Sequence, residues 1–464
     1  MKIIRSESFA AVRHGWVALA LFAAVVAVFG GSSRFDAIQL AALRPLAALF
    51  LIPAIYFFAR DRVADFRTPL VLLLLLAGWM AVQLIPLPPG IWQSLPGRGP
   101  EAEMGAALGM NDIWRPISMV PSRTLNALAS LIVPITGFLL VASLGANRRT
   151  LILLIVAIGS ANAALGLLQI VGGNPDPLYF YEITNRGSPV GFFANHNHSA
   201  VLSALTLVAI AYSIAMPEMG FSEALPRIGL GALFLLVLLA ALVGGSRAGL
   251  LTMVLALLAS GFLLWLAVRV FAHKRIRHGG QTEIRLKAHW ILALAAVAIV
   301  GIVAVFISAD RIPALERVAA SGSFEDLRWG LLPTLGTMIL SYGLLGSGFG
   351  SFEEVYHIHE PDSLMISSYV NMAHNDWAQL LIEGGIPAIA ILVAFCLWLF
   401  RTLASTPWSG PAGFGRLVFW LSVGAIIAFG SLVDYPLRAP LFQLVAVWLV
   451  ALLCVERATF RDGR

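Results

Sequence analysis

Residues 346–387 read G-S-G-F-G-S-F-E-E-V-Y-H-I-H-E-P-D-S-L-M-I-S-S-Y-V-N-M-A-H-N-D-W-A-Q-L-L-I-E-G-G-I-P. This interval is polar and carries histidines, although the chain around it is mostly apolar. It begins with a glycine-rich turn and ends where His374, Asn375 and Asp376 lead into an apolar helix. We therefore expect the rest of the chain to form a membrane scaffold that presents this interval at one side of a bilayer.

The composition is that of a polytopic membrane protein. Hydrophobic residues make up 59% of the chain and charged residues only 12%, whereas soluble domains carry about 25% charged residues. The net charge of +6 does not indicate a nucleic-acid partner, because basic residues set the orientation of membrane helices. Cys396 and Cys454 both lie in apolar runs, so they predict neither a disulfide framework nor a metal site.

Apolar runs predict an all-α fold with about twelve transmembrane helices in a single integral membrane domain, residues 1–464. The first run resembles a signal-peptide core, but the many later runs favour a retained first helix. The predicted helices lie near residues 16–30, 37–59, 69–86, 124–144, 150–171, 198–216, 228–243, 247–271, 289–308, 376–400, 416–433 and 439–455.

Basic residues predict that both termini are cytoplasmic. If the chain starts inside and alternates, most of the Lys and Arg residues fall inside, and the basic loop 269–287 is the clearest example. Three long segments then fall outside: 87–123, 172–197 and a large loop with short helices, 309–375. The first either lies in the headgroup layer or is a plain connection. The third contains the apolar stretch 331–345, which is short for a span and favours a re-entrant or interfacial helix.

The outer end of the sixth predicted helix is polar. It reads G-F-F-A-N-H-N-H-S from Gly191 to Ser199, and Asn197 or Ser199 suits a helix N-cap. Two histidines two residues apart are a weak metal signal. Capping and direct ligand contact are therefore both open interpretations.

Two arginines lie at predicted outer helix ends. Arg247, in G-G-S-R-A-G, either extends to lipid phosphates or forms a buried anion site in which its planar fork binds a diphosphate. Arg328 follows Glu325 by three residues, which is the spacing of a helix salt bridge.

His374 directly precedes a predicted helix start. Asp376 and Gln379 have the spacing of a capping box, so Asn375 and Asp376 are first of all helix-starting residues. The positive end of the helix dipole disfavours a charged imidazolium, and a neutral imidazole accepts a proton from a hydroxyl. His374 is therefore a candidate general base.

The outer loops contain no D-x-D motif, and the chain has no P-loop, H-E-x-x-H or G-x-S-x-G motif. The sequence therefore predicts neither a metal nor another cofactor. Arginines would have to supply the positive charge that stabilises a diphosphate leaving group.

Together, these motifs resemble the bacterial O-antigen ligase and O-antigen polymerase superfamily over roughly residues 150–455. The matching pieces are G-F-F-A-N-H-N-H-S-A, G-G-S-R-A-G-L, R-W-G-L-L-P, L-L-G-S-G-F-G-S-F, A-H-N-D-W-A-Q-L-L-I-E-G-G-I-P and D-Y-P-L-R-A-P.

This resemblance implies a C-type membrane glycosyltransferase fold in a Gram-negative inner membrane, with the site facing the periplasm. The implied reaction is metal-independent and inverting, and it moves a glycan from undecaprenyl diphosphate to lipid A–core oligosaccharide. By motif, Arg247 and Arg328 would bind the diphosphate, and His374 would be the catalytic residue at the acceptor hydroxyl. Arg186 is a further candidate for the diphosphate or a sugar phosphate. The other candidate substrate-binding residues are Asn195, His196, Asn197, His198, Asn375 and Asp376.

Two other functions stay open. A polymerase of O-antigen or exopolysaccharide repeats would use the same scaffold and motifs. A transporter would show charged residues near mid-membrane or helices broken by Gly and Pro, for which Arg44-Pro45 and Pro134 are weak hints.

Overall fold

The computed structural model describes residues 2–171, 176–221, 224–244, 246–276, 323–365 and 370–462. The structure is 76% helical with almost no strands, which confirms the predicted all-α class. The helices are α1 (Lys2–Phe29), α2 (Gln39–Leu49), α3 (Leu51–Tyr56), α4 (Arg60–Val63), α5 (Arg67–Val82), α6 (Pro89–Gln93), α7 (Gly99–Ala107), α8 (Pro121–Ser130), α9 (Ile132–Leu144), α10 (Arg148–Val171), α11 (His196–Ala215), α12 (Ala224–Val243), α13 (Arg247–Ile276), α14 (Ser323–Tyr342), α15 (Phe352–His359), α16 (Asp376–Ala404), α17 (Gly410–Val433) and α18 (Pro440–Asp462). Short 3₁₀ turns occupy Ala64–Phe66, Asp176–Leu178, Pro217–Met219, Asp362–Leu364 and Pro436–Arg438.

The protein is a multi-pass membrane protein. In the described chain, ten helices or joined helix pairs are long and apolar enough to cross a membrane, and they match ten of the twelve predicted runs. The first predicted run lies within α1 (Lys2–Phe29), whose residues 14–29 are apolar. The ninth, 289–308, lies outside the described residues. The ten spans are Gln39–Tyr56, Arg60–Val82, Pro121–Leu144, Arg148–Val171, His196–Ala215, Leu225–Val243, Gly249–Val268, Asp376–Ala404, Gly410–Val433 and Pro440–Phe460.

Helix α11 is the centre of the bundle, and 94% of its most apolar stretch is buried. It packs against α10, α12, α13 and α17. One close approach is at Gly159 of α10, where a Cβ would lie 1.8 Å from Thr206 Oγ1. A glycine is therefore required at that crossing.

The two ends of the bundle are distinct. At one end, the loop after α1 bonds to the start of α18, because Leu441 N donates to Gly30 O at 2.8 Å. At the other end, Glu218 bonds to Arg148 at 2.7 Å and to Arg416 at 3.1 Å. We call these the site end and the opposite end.

A small hairpin closes the segment between α5 and α8 at the site end. Strands β1 (Pro86–Leu87) and β2 (Arg115–Pro116) pair antiparallel, and α6 and α7 lie between them. Its exposed apolar side chains favour a place at the membrane surface over a plain connection. They are Ile91, Met104, Leu108 and Trp114.

Sequence reasoning found only weak hints of broken helices, but the structure has several. The spans Gln39–Tyr56 and Pro121–Leu144 each consist of two helices, and α16 is broken at Gly385, whose φ is +65° and ψ −167°. α14 runs from Ser323 to Tyr342 and is apolar from Gly330 onward. The re-entrant or interfacial helix there stays a prediction.

The break in α16 is filled by the backbone of the glycine-rich loop 343–350. Ser347 N donates to Ile382 O at 2.9 Å, and Gly348 N donates to Glu383 O at 3.0 Å. In return, Ile386 N donates to Gly343 O at 2.9 Å. Backbone groups freed by a helix break must find partners away from water. The two ends of the 346–387 interval therefore contact each other, and each satisfies backbone hydrogen bonds of the other.

Replacing Gly385 by alanine should destabilise the protein by at least ~2 kcal/mol. Its positive φ disfavours a side chain, and a Cβ there would lie 2.6 Å from both Gly346 N and the carbonyl carbon of Leu345. Thermal unfolding in detergent measures the effect. Gly424→Ala is the matched control, because nothing lies within 4 Å of a Cβ at that position of α17. An equal melting temperature for both variants would contradict the requirement for glycine in the break.

Candidate active site

His374 lies at the site end, directly before α16. Its side chain is 16% exposed, and its Nδ1 lies 3.4 Å from Asp434 Oδ1. Its φ is +50°, a conformation that few residues other than glycine adopt. The imidazole is thus placed between the helix start and a buried carboxylate.

The start of α16 explains this position, although its cap differs from the predicted one. The N-cap is Asn375, whose Oδ1 accepts from Trp377 N and Ala378 N, both at 3.1 Å. The predicted capping box of Asp376 with Gln379 does not form. Gln379 Oε1 instead accepts from Ala373 N at 3.0 Å, which fixes the backbone on the other side of His374.

Asp434 is the site residue that sequence reasoning missed. It is fully buried and accepts hydrogen bonds from Asn197 Nδ2 at 2.5 Å and Asn195 Nδ2 at 3.4 Å. The available signal was its place in D-Y-P-L-R-A-P, where a carboxylate stands between two apolar helices. Asp434 joins the start of α11 to His374.

The start of α11 is capped by Asn195, whose Oδ1 accepts from Asn197 N at 2.9 Å. The predicted caps, Asn197 and Ser199, lie inside the helix. His196 N donates to Asn185 Oδ1 at 3.0 Å. These bonds hold the polar α11 start next to the turn that carries Asp434.

Two histidines flank one tyrosine ring. The ring centroids of His198 and His374 each lie 5.1 Å from that of Tyr435. His198 is fully buried, and neither of its ring nitrogens has a hydrogen-bond partner among the described residues. Buried polar atoms are usually paired in native proteins, so His198 is marked as a ligand-contact candidate.

A second buried network lies beside His374. Arg438 Nε lies 3.2 Å from Asp376 Oδ1, and Arg438 Nη1 lies 2.9 Å from Glu383 Oε2. Burial alone would lower the pKa of Arg438, but the carboxylates of Glu383 and Asp376 outweigh it and raise the pKa above its ordinary value. Glu383 also accepts from Gln379 Nε2 at 2.9 Å. The network ties the turn after Asp434 to α16.

Asp376 is therefore engaged within the protein. Besides Arg438, its Oδ2 accepts from Leu437 N at 3.4 Å, and the residue is buried. This favours a positioning role over the direct substrate contact predicted for it.

The predicted arginines are distributed around this centre. Arg247 is the first residue of α13, and that helix start lies beside α11, since a Cβ on Gly249 would be 2.5 Å from Ala200 Cβ. Arg328 lies in α14, two residues before Gly330. We place both by their backbone; the predicted pair of Glu325 with Arg328 lies outside the described side chains.

Arg186 lies on the exposed loop before α11, with its Cζ 5.8 Å from the Tyr179 ring centroid. Asn185 N donates to Ala194 O at 3.1 Å, so this loop is at the site end as well. Among the described residues, no three His, Cys, Asp or Glu side chains are arranged to hold a metal ion.

Residues 232–393 match the family model described as O-antigen ligase. This stretch is similar to the O-antigen ligase family. This confirms the resemblance seen in the sequence. The O-antigen ligase match includes Arg247, Arg328 and His374, whereas Arg186, the α11 start and Asp434 lie outside it. No curated protein matches the chain.

Proposed function

We propose that this protein is an O-antigen ligase that transfers a glycan from undecaprenyl diphosphate to a hydroxyl of lipid A–core oligosaccharide. The observation that carries this proposal is His374, partly exposed at the site end with its Nδ1 facing the buried carboxylate of Asp434 at 3.4 Å. A base oriented by a buried acid is the arrangement that hydroxyl activation requires.

His374 acts as the general base. With Nδ1 directed at Asp434, Nε2 is left to accept the proton of the acceptor hydroxyl. As the hydroxyl oxygen bonds to the anomeric carbon, the bond from that carbon to the diphosphate breaks, and the configuration inverts. Asp434 holds the imidazole in one tautomer and stabilises the imidazolium that forms.

Arginines stabilise the leaving diphosphate. Arg247 begins α13 beside the α11 start, and Arg328 lies on α14, which packs against α16. Guanidinium groups bind diphosphate oxygens with paired hydrogen bonds, and fixed positive charge stabilises the charge that develops in the transition state. Arg186 extends this basic set toward the loop surface. No metal is needed in this scheme.

The α11 start contributes to the substrate pocket. We assign His196 and His198 to substrate hydroxyls, because the buried ring nitrogens of His198 have no partner among the described side chains. Asn195 and Asn197 donate to Asp434. Asn375 keeps its amide nitrogen for substrate, since its Oδ1 caps α16.

We place the protein in a Gram-negative inner membrane with both termini in the cytoplasm. The site end then faces the periplasm. Residues 309–375 form a periplasmic loop, and this loop includes α14 and α15. The support is the distribution of Lys and Arg, since Arg148 and Arg416 at the opposite end fall inside.

His374→Ala should lower transfer by about 10²–10⁴-fold, because a positioned base contributes that much. The assay uses purified protein, undecaprenyl diphosphate-linked glycan and delipidated lipid A–core acceptor, with EDTA present. His357→Ala is the matched control, because that exposed histidine of α15 pairs with Glu360 just after the helix. Wild type and the control should both attach glycan to the core in a single step.

Each other outcome of this assay has a meaning. Full activity of His374→Ala would remove the proposed base, and loss of activity in EDTA would contradict metal independence. A ladder of lengthening lipid-linked glycan without core attachment would make the protein a polymerase. No product with either acceptor would favour a transporter.

A further inference from the structure

Arg44 is an arginine within a membrane span, outside the site described above. It lies in α2, five residues after Gln39, which begins the span Gln39–Tyr56. At 1.5 Å per residue, this places it about 7.5 Å along the helix from its start. Gln39 Nε2 donates to Phe180 O at 2.5 Å, so α2 starts at the site end. Arg44 is therefore at the depth where headgroups meet acyl chains.

The guanidinium of Arg44 is held by two neutral groups. Its Nη2 donates to Asn126 Oδ1 at 2.7 Å and to Ser130 Oγ at 3.0 Å. These residues are one turn apart on α8, so the side chain is fixed between α2 and α8. Arg44 Nε is buried and has no hydrogen-bond partner among the described residues.

Arg44 differs from its neighbours in charge balance. Arg34 is paired with Asp36, and Arg123, which lies on α8 like Asn126, is paired with Glu353 and Glu354. No carboxylate in the described chain lies within ion-pair distance of Arg44. Amide and hydroxyl oxygens accept hydrogen bonds but do not neutralise a positive charge.

An uncompensated cation in a membrane span is costly and attracts an anion. Asn126 and Ser130 occupy Nη2, and Nε is buried. Nη1 therefore remains to donate to an oxygen of an anionic group. The surroundings are lipid-exposed: Ile38 is 81% and Leu125 58% exposed. The anion at this position is then attached to acyl chains.

We propose that Arg44, held by Asn126 and Ser130, binds the phosphate of a membrane lipid headgroup in the leaflet at the site end. The site is separate from His374 and does not depend on the proposed transfer reaction. It fixes a phosphate-bearing lipid against α2 and α8.

Lipid binding to purified protein tests this proposal. In native mass spectrometry, wild type should retain one phosphatidylglycerol, and Arg44→Gln should bind it at least tenfold more weakly. Diacylglycerol with the same acyl chains should not bind at this position, since it has no phosphate. Inorganic phosphate at the same concentration should not displace the lipid; full displacement would make this a free-anion site and overturn the assignment to lipid.

Arg62→Gln is the matched control. Arg62 is likewise bonded to a neutral group, Ser143 O at 3.0 Å, but it is exposed and lies at the opposite end. It should retain the lipid as wild type does, and an equal loss in both variants would show a general charge effect and overturn the site. If Arg44→Gln does not fold, the double variant Asn126→Ala and Ser130→Ala should weaken lipid binding several-fold while it keeps the charge. Unchanged binding in that variant would also overturn the proposal.

Discussion

Asp434→Asn should lower the rate of glycan transfer by about 10²–10⁴-fold while the protein still folds. An asparagine has nearly the same shape as Asp434 and keeps one oxygen, so the packing of the turn is preserved. It carries no negative charge, so the imidazolium that forms on His374 loses the carboxylate 3.4 Å away. The loss should appear in kcat with little change in KM, because the carboxylate acts on the charge of the transition state.

Glu360→Gln is the matched acid-to-amide control for this variant. Glu360 accepts from the exposed His357 on α15 at 3.2 Å. Both variants should elute as single species after purification. A wild-type kcat in Asp434→Asn would show that the carboxylate does not assist His374. This result would contradict the proposed role of Asp434.

Arg438→Gln should lower the stability of the protein by about 3–5 kcal/mol, the usual loss when one partner of a buried ion pair is removed. Glu383 is fully buried and Asp376 nearly so, and Arg438 is the cation that both carboxylates contact. Without it, two charges remain in a low-dielectric interior. Thermal unfolding in detergent measures the loss.

Two further variants identify the cause. The double variant Arg438→Gln and Glu383→Gln removes one of the stranded charges and should recover part of the lost stability. Arg401→Gln is the surface control, because Arg401 is exposed near the end of α16, and its effect should stay within about 0.5 kcal/mol. A melting temperature for Arg438→Gln equal to that of wild type would contradict the proposed role of the network.

The spanning helices were predictable because each one is a long apolar run that decides its own position in a bilayer. Their interruptions were not. The break at Gly385 depends on loop 343–350, which supplies its hydrogen bonds from earlier in the chain. The exact helix starts were not predictable either. In N-H-N-H-S and in H-N-D, several neighbouring side chains suit an N-cap, and tertiary contacts determine that Asn195 and Asn375 are the caps.

The candidate site was predictable only where a local motif marks a residue. His374 stands out because it precedes a helix in a polar interval, and a motif singles out Arg247. Asp434 gains its meaning only from Asn197, 237 residues earlier, and from His374. Arg438 likewise looks like one more arginine at a helix end until Glu383 is seen beside it. Local sequence cannot show pairings at such separations.

The filled break in α16 also bears on how the protein is made. The loop 343–350 leaves the ribosome before α16, and the carbonyls of Ile382 and Glu383 accept from its amides. Until that loop docks, α16 has unsatisfied backbone groups at a depth where water is scarce. His374 and Asn375 lie on the segment that leads from the loop to α16. We therefore expect complete insertion of this helix and assembly of the site to occur together.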